Sequence, residues 1–195
     1  MKQAPVLLEN GEPLTRDHAL QLLHQHTEGE SLRKHAYAVE SCMRWYARHF
    51  DEDETVWGIV GLLHDFDYEK HQTEEEHPYV GVEILAEEGY PEFIRRAILS
   101  HADYTGVGRE SLLEKTLFAV DELAGFVIAC ALVRPNGIGD MKVKSVTKKL
   151  KQSSFAAAVN RDDIRSGAED LGIELRTHIG NVIEALREIR ETLDL

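Results

Sequence analysis

A histidine and an aspartate, His64-Asp65, end an apolar stretch that has the spacing of a buried helix, GIVGLLHDFD. Burying an unpaired carboxylate is unfavourable by several kcal/mol, so this pair requires a compensating charge. A bound cation would supply that charge. Imidazole and carboxylate groups together are typical ligands of divalent metals such as Zn, Fe, Mn, Co and Ni.

Other histidines and aspartates interrupt apolar helical stripes in the same way. His35 lies on the stripe of its helix, His101 follows Ile98 at helical spacing, and Asp121 shares a face with Leu117. Each one alone is compatible with a hydrogen-bonded core residue, which would need its own partner. One bound cation would satisfy them all together. The sequence therefore predicts a metal centre with the ligands His35, His64, Asp65, His101 and Asp121.

His77 is ambiguous when only its own neighbourhood is considered. It precedes Pro78 at the expected start of a helix, where the helix dipole disfavours imidazolium and keeps the ring neutral and able to bind a metal. A helix-capping or solvent-exposed histidine fits the same position, so both interpretations stay open here. The other six histidines fall on polar faces or at helix ends and are predicted to lie at the surface: His18, His24, His26, His49, His71 and His178.

Helical spacing runs through the whole chain, and strand-like alternation is almost absent, which predicts an all-α fold. Thr15 and Asp53 are predicted to cap helices, and the last helix is expected from Ile173 to about Thr192. After RPNGIGD the chain becomes more polar and basic, which marks a boundary. We predict a single helical domain over residues 1–195, with a helical C-terminal extension over 140–195.

Composition restricts the class of protein. A chain of 195 residues with 43% hydrophobic residues can bury a core without disulfides, and its two cysteines lack metal-type spacing. The net charge of −13 argues against binding along double-stranded nucleic acid. No stretch has the pattern of a secretory signal or the length of a membrane span. The sequence therefore predicts a cytoplasmic protein that binds neither nucleic acid duplexes nor membranes.

The order His35, His64-Asp65, Asp121 resembles the H…HD…D signature of the HD-domain superfamily. That family consists of helical, metal-dependent proteins, chiefly phosphohydrolases. Its motifs cover about residues 31–133, which would form the metal-binding core of a helical bundle. HPYVGVEIL and AILSHAD resemble the additional histidine motifs of two-metal members, which implies that His77 and His101 bind a second ion. The whole chain, including SVTKKLKQSSFAAAVNR, is similar to a bacterial group described only as predicted HD-superfamily hydrolases.

Three departures from the family patterns narrow the range of expected activities. Asp67 stands where HDIG members have glycine, and Ala102 follows His101 where HD-GYP members have a second histidine. The GYP motif is missing as well, so neither a third metal nor cyclic-dinucleotide hydrolysis is expected. The same ligand order also resembles the di-iron oxygenase branch, such as myo-inositol oxygenase. A non-catalytic module that binds metal and nucleotide is a third alternative.

The leading hypothesis is hydrolysis of a phosphate ester or anhydride in a nucleotide or related small compound. His35, His64, Asp65 and Asp121 would hold one ion, and Asp65 would bridge to a second at His77 and His101; the ions would be Mn, Fe, Co, Ni, Mg or Zn. Asp65 would position the reactive water, and Asp67 and Lys70 would orient it and neutralise phosphate, unless they belong to a solvated loop. Candidate phosphate contacts are Arg33, Lys34, Lys144, Lys148 and Arg161, and a solvated helix face is the usual explanation for the basic run that contains the lysines at 144 and 148. The oligomeric state is left open.

Overall fold

The computed structural model describes residues 5–195, which fold into nine α-helices, and the prediction of an all-α fold is confirmed. The only strand-like feature in this part of the chain is an isolated antiparallel bridge between Leu7 and Pro13. A short 3-10 helix, Asp103–Thr105, follows α5. The helices are α1 Arg16–His26, α2 Glu30–Phe50, α3 Glu54–Leu63, α4 Tyr79–Glu87, α5 Glu92–Ser100, α6 Leu112–Leu132, α7 Val143–Leu150, α8 Arg161–Asp170 and α9 Leu175–Glu188.

Side chains that accept backbone N–H groups begin several helices. Thr15 accepts from the N–H of His18 at the start of α1, and Asp53 caps α3 through two backbone N–H groups. Both caps agree with the sequence-based prediction. Ser111 and Glu114 form a reciprocal capping box at the start of α6. Helix α9 is shorter than predicted, because it starts after the cap at Glu174 and ends at Glu188.

Close contact between α2 and α3 brings the predicted ligands on these helices together. A Cβ atom at Gly61 of α3 would lie 2.9 Å from the carbonyl oxygen of Val39 and 3.0 Å from the Cα of Glu40. Only glycine permits this approach of the two backbones. Since Gly61 lies one turn before His64, the contact holds the end of α3 against the face of α2 that carries His35.

The C-terminal helices pack on the same core. A Cβ atom at Gly167 of α8 would lie 2.6 Å from the Cα of Ala119 in α6, so these two helices are also in backbone contact. A single cluster of buried apolar side chains runs from Leu8 to Leu193. Within residues 5–195, no helix is both long and apolar enough to cross a membrane.

His178 lies in this core, so the prediction that it is a surface residue is wrong. Its side chain is fully buried, and its Nε2–H donates to the carbonyl oxygen of Ala119 at 2.8 Å. Nδ1 therefore accepts from the hydroxyl of Tyr46 at 2.5 Å, and that hydroxyl accepts from the side chain of Asn181 at 3.1 Å. Burial lowers the pKa of His178 and keeps it neutral. The other five predicted surface histidines are exposed or partly exposed: His18, His24, His26, His49 and His71.

We expect Tyr46→Phe to lower the free energy of unfolding by about 1–3 kcal/mol, because it leaves Nδ1 of His178 and the side-chain N–H of Asn181 without their hydrogen-bond partner. Denaturant unfolding at matched metal content measures the change. Tyr37→Phe is the matched control, since it removes a hydroxyl whose hydrogen bond to His24 is exposed; its effect should stay within about 0.5 kcal/mol. Equal losses in both variants would contradict the assigned role of the buried cluster.

Candidate metal centre

Four side chains from three helical segments meet in a first ligand group: His35, His64, Asp65 and Asp121. His35 lies on α2, His64 and Asp65 follow the end of α3, and Asp121 lies on α6. The Nε2 atom of His35 lies 3.0 Å from Oδ1 of Asp121 and 3.2 Å from Nε2 of His64. Two imidazoles and two carboxylates therefore point at one small volume.

Asp65 also belongs to a second ligand group, with His77 and His101. Its Oδ1 atom lies 3.2 Å from the Nε2 atoms of both these histidines, whereas its Oδ2 atom lies 3.4 Å from Nε2 of His64. Each oxygen of Asp65 thus faces a different group. The structure brings all six predicted ligands together, and Asp65 lies where a bridging ligand between two ions was expected.

Backbone carbonyls determine which ring nitrogens of His64 and His101 are available to bind a metal. The Nδ1 atom of His64 lies 2.8 Å from the carbonyl oxygen of Gly61, and that of His101 lies 2.5 Å from the carbonyl oxygen of Ile98. A carbonyl oxygen can only accept, so each Nδ1 carries a hydrogen and each neutral ring has its lone pair on Nε2. Those lone pairs face carboxylate oxygens, which also only accept. A cation between them resolves this conflict, so the donor set fits a divalent metal.

Asp67 orients His77 in a similar way. Its carboxylate is 1% exposed; Oδ1 accepts from Nδ1 of His77 at 2.8 Å, and Oδ2 accepts from the backbone N–H of Gly81 at 2.9 Å. A Cβ atom at Gly81 would lie only 2.8 Å from the Asp67 carboxyl carbon, so this approach requires glycine. Asp67 does not line the cavity described below. The structure therefore places Asp67 as a residue that positions His77, which differs from the predicted role of orienting water.

The carboxylates of the two ligand groups favour positive charge on the imidazoles between them. Burial acts to lower the pKa of His64, but the charges of Asp65 and Asp121 outweigh it and raise this pKa well above its ordinary value. Burial also opposes the charged form of His77, and hydrogen bonds to Asp65 and Asp67 raise its pKa to about 9. For both carboxylates burial acts to raise the pKa, yet the charge of His64 and the imidazole hydrogen bonds hold the pKa of Asp65 and of Asp121 below the usual range. The cluster thus favours positive charge at its centre.

A cavity of about 670 Å³ opens over the ligand groups. Part of its wall comes from the residues just after α5 in the chain, where the hydroxyl of Tyr104 donates to the carbonyl oxygen of His77 at 3.0 Å. Another part comes from the segment just before α8 and its first turn, where the N–H of Asn160 donates to Glu122 at 3.2 Å. The ligands and the wall that faces them thus come from different segments of the chain. Beyond the ligands, the lining residues are Tyr68, Ala102, Asp103, Tyr104, Phe118, Glu122, Gly125, Ala158, Val159, Asn160 and Asp163.

Three of the predicted phosphate-binding cations are engaged elsewhere. Lys70 donates to a backbone carbonyl near the end of α1, and Arg33 donates to the carbonyl oxygen of Thr27. Lys34 forms ion pairs with Glu30 and Asp194. None of the three cations lines the cavity, which differs from the expected contacts with substrate phosphate.

The basic C-terminal segment also lies away from the cavity. Lys144 and Lys148 are exposed, and Lys148 lines a separate depression beside Arg134. Arg161 donates to the carbonyl oxygens of Ala156 and Val159 and so closes the turn before α8. Within residues 5–195, the wall of the 670 Å³ cavity contains no lysine and no arginine.

Sequence reasoning did not identify the acidic residues of this wall. Burial, followed by the charge of Asp121, raises the pKa of Glu122 to about 7. Burial, followed by the charge of Asp103, also raises the pKa of Asp163. A second acidic residue directly after Asp121 was a signal for Glu122, since it lies in a mostly apolar helix. Asp163 lies far along the chain and reaches the site only through packing of α8 on α6.

Comparison with protein-family models matches residues 32–125 to the HD domain. The matched region contains all six ligands of the two groups and ends before the segment that supplies the facing wall. No curated protein and no solved structure matches the chain. The narrower likeness to a bacterial group of hydrolases stays a prediction.

We expect a divalent ion that binds the metal-free protein at pH 7 to release protons, because the pKa of His77 is about 9 and that of His64 is also raised. Metal affinity should therefore rise with pH and level off above about 9. In the metal-free protein, the raised pKa of His77 stabilises the fold below 6.5, and this stabilisation is lost as the pH rises through about 9.

Calorimetric titration with Mn²⁺ in two buffers of different ionisation enthalpy counts the released protons. His77→Gln removes one protonated imidazole and should release fewer. Apparent enthalpies that are identical in the two buffers would contradict the protonated state of the metal-free cluster.

We expect Asp67→Asn to weaken metal binding about 10–100-fold, because the amide NH₂ group would face the N–H donor of Gly81 and misplace His77. Metal content after dialysis against graded chelator measures the loss. The matched control is Asp162→Asn, whose side chain is 92% exposed and pairs only with Arg165. Metal retention equal to that of the control would show that Asp67 does not support the second ligand group.

Proposed function

Because this chain belongs to the HD-domain superfamily, we propose that it is a metal-dependent phosphohydrolase that cleaves a phosphate ester or anhydride of a small compound. The observation that carries the proposal is the pair of ligand groups that share Asp65, one carboxylate oxygen facing each. Such an arrangement suits two adjacent ions acting on one phosphoryl group. The nitrogen-rich donor set favours transition metals such as Mn, Fe, Co, Ni or Zn over Mg.

Divalent ions in such a site lower the pKa of water and polarise phosphoryl oxygens. The protein's own residues fix the geometry in which this occurs. Asp65 sets the relation between the two groups, and the carbonyl oxygens of Gly61 and Ile98 fix the rings of His64 and His101. Because the ligands are already oriented, little free energy is needed to rearrange them during the reaction.

Because the cavity wall within residues 5–195 contains no lysine and no arginine, phosphate neutralisation would fall to the metal centre. Two divalent ions would carry more positive charge than Asp65 and Asp121 carry negative charge. The excess can be matched by one phosphate group. The predicted contribution of Lys70 and of the basic C-terminal segment is therefore not needed for binding at this site.

The same ligands support an oxygenase as a second candidate. Four imidazoles and two carboxylates also suit a pair of irons, and a wall without cations does not by itself demand a phosphate. The two candidates differ in their consumption of oxygen. A non-catalytic module would bind ligand without turnover of any kind.

We expect the protein loaded with Mn²⁺ or Co²⁺ to release inorganic phosphate from phosphate esters at the same rate in air and under argon, and the protein loaded with Fe²⁺ to release it under argon. Asp65→Asn should abolish release, because it removes the charge shared by both ligand groups, while the exposed control Asp162→Asn should retain it. Circular dichroism checks the fold of both variants. Oxygen uptake without phosphate release would favour the oxygenase, and neither reaction across a broad ester panel would favour the binding module.

A further inference from the structure

The wall of the metal cavity contains two carboxyl groups that could bind a positively charged ligand, since a cation beside them would favour their charged forms. Glu122 and Asp163 both line the cavity, and neither forms an ion pair within residues 5–195. The third wall carboxylate, Asp103, is paired with Arg109 at 2.6 Å. The protein thus leaves two carboxylates beside its metal ligands available to a ligand of opposite charge.

Aromatic rings lie beside these carboxylates. Tyr68 and Tyr104 line the cavity and are 38% and 44% exposed, so their surfaces are accessible to a ligand. Phe118 lines it too, but the guanidinium of Arg109 lies 3.6 Å from its ring centroid and already covers one face. Organic cations bind favourably over exposed aromatic faces, most strongly when carboxylates are near.

A second phosphate group would be poorly placed in this cavity. It would lie near Glu122 and Asp163 without a lysine or arginine in the described wall, and like charges brought together in a partly buried site repel strongly. One phosphate at the metal centre is compensated, whereas a chain of phosphates is not. The wall therefore disfavours nucleoside polyphosphates.

We propose that the substrate is a small phosphomonoester whose end opposite the phosphate carries an organic cation, a primary ammonium or quaternary ammonium group. The phosphate would lie at the two ligand groups, and the cation would pair with Glu122 and Asp163 beside Tyr68 and Tyr104. This inference rests on the proposed phosphohydrolase function for the reaction, but the charge preference of the wall is separate from turnover. A neutral hydroxyl end is the alternative that the same carboxylates could bind.

The test compares matched esters of increasing length on the metal-loaded protein. 2-Aminoethyl, 3-aminopropyl and choline phosphates are the cationic arm; n-propyl, n-butyl and 2-hydroxyethyl phosphates are the neutral arm, and ATP is the polyanionic arm. The best cationic ester should exceed its neutral counterpart in kcat/KM by about tenfold or more. Asp163→Asn and Glu122→Gln should each reduce that ratio, and together bring it close to one. Asp162→Asn, adjacent to Asp163 but outside the cavity wall, should leave the ratio unchanged.

A binding arm separates this inference from the proposed function. Calorimetry with 3-aminopropylphosphonate and n-butylphosphonate, which have equal length and a stable C–P bond, measures charge preference without hydrolysis. Preference for the amine without phosphate release from any ester would uphold cation binding at Glu122 and Asp163, but it would overturn the phosphohydrolase and, with it, the phosphomonoester as substrate. Phosphate release without such preference, a preference for ATP or 2-hydroxyethyl phosphate, or a ratio unchanged in the double variant would overturn the cationic substrate.

Discussion

The close approach of the Asp65 carboxylate to the surrounding imidazole nitrogens is the interaction on which the metal centre depends. The carboxylate is largely buried, with 23% of the side chain exposed, and it lies between Nε2 atoms on both sides, so most of its charge must be balanced locally. The fold serves this balance directly. Gly61 allows α3 to touch the backbone of α2, and the ends of α3 and α5 then direct His64 and His101 at the same carboxylate.

The ligands could be found in the sequence because each one breaks a pattern that the rest of its helix obeys. His35, His64 and Asp121 stand on apolar stripes, so periodicity identified them and the order of the motif linked them to one family. Helix positions followed from the same periodicity and from capping residues. Asp67 was named but given another role, because it lies with His77 in an irregular segment where no repeat indicates which way a side chain points.

The sequence did not predict the positions of residues whose surroundings come from distant parts of the chain. His178 stands on α9 among polar neighbours, and only contact with Tyr46 of α2 and Ala119 of α6 makes its position a buried one. The basic segment was a candidate for contact with the substrate because phosphate attracts cations, with a solvated helix face as the ordinary explanation. The distribution of charge along the chain does not show which face of a helix points to the cavity. Packing of α8 on α6 brings Asp163 to the cavity wall, and the lysines of α7 lie elsewhere.

The contact between α8 and α6 at Gly167 places two different parts of the chain on opposite sides of the cavity. The predicted metal ligands lie between residues 35 and 121, whereas the surface across the cavity from them includes residues 158–160 and Asp163. Substitutions in the latter stretch would therefore change which molecules fit the cavity and leave the metal ligands in place. Sequence differences among homologues should concentrate in this segment before α8. Exchange of the segment between relatives should change substrate selectivity and leave the metal ligands unchanged.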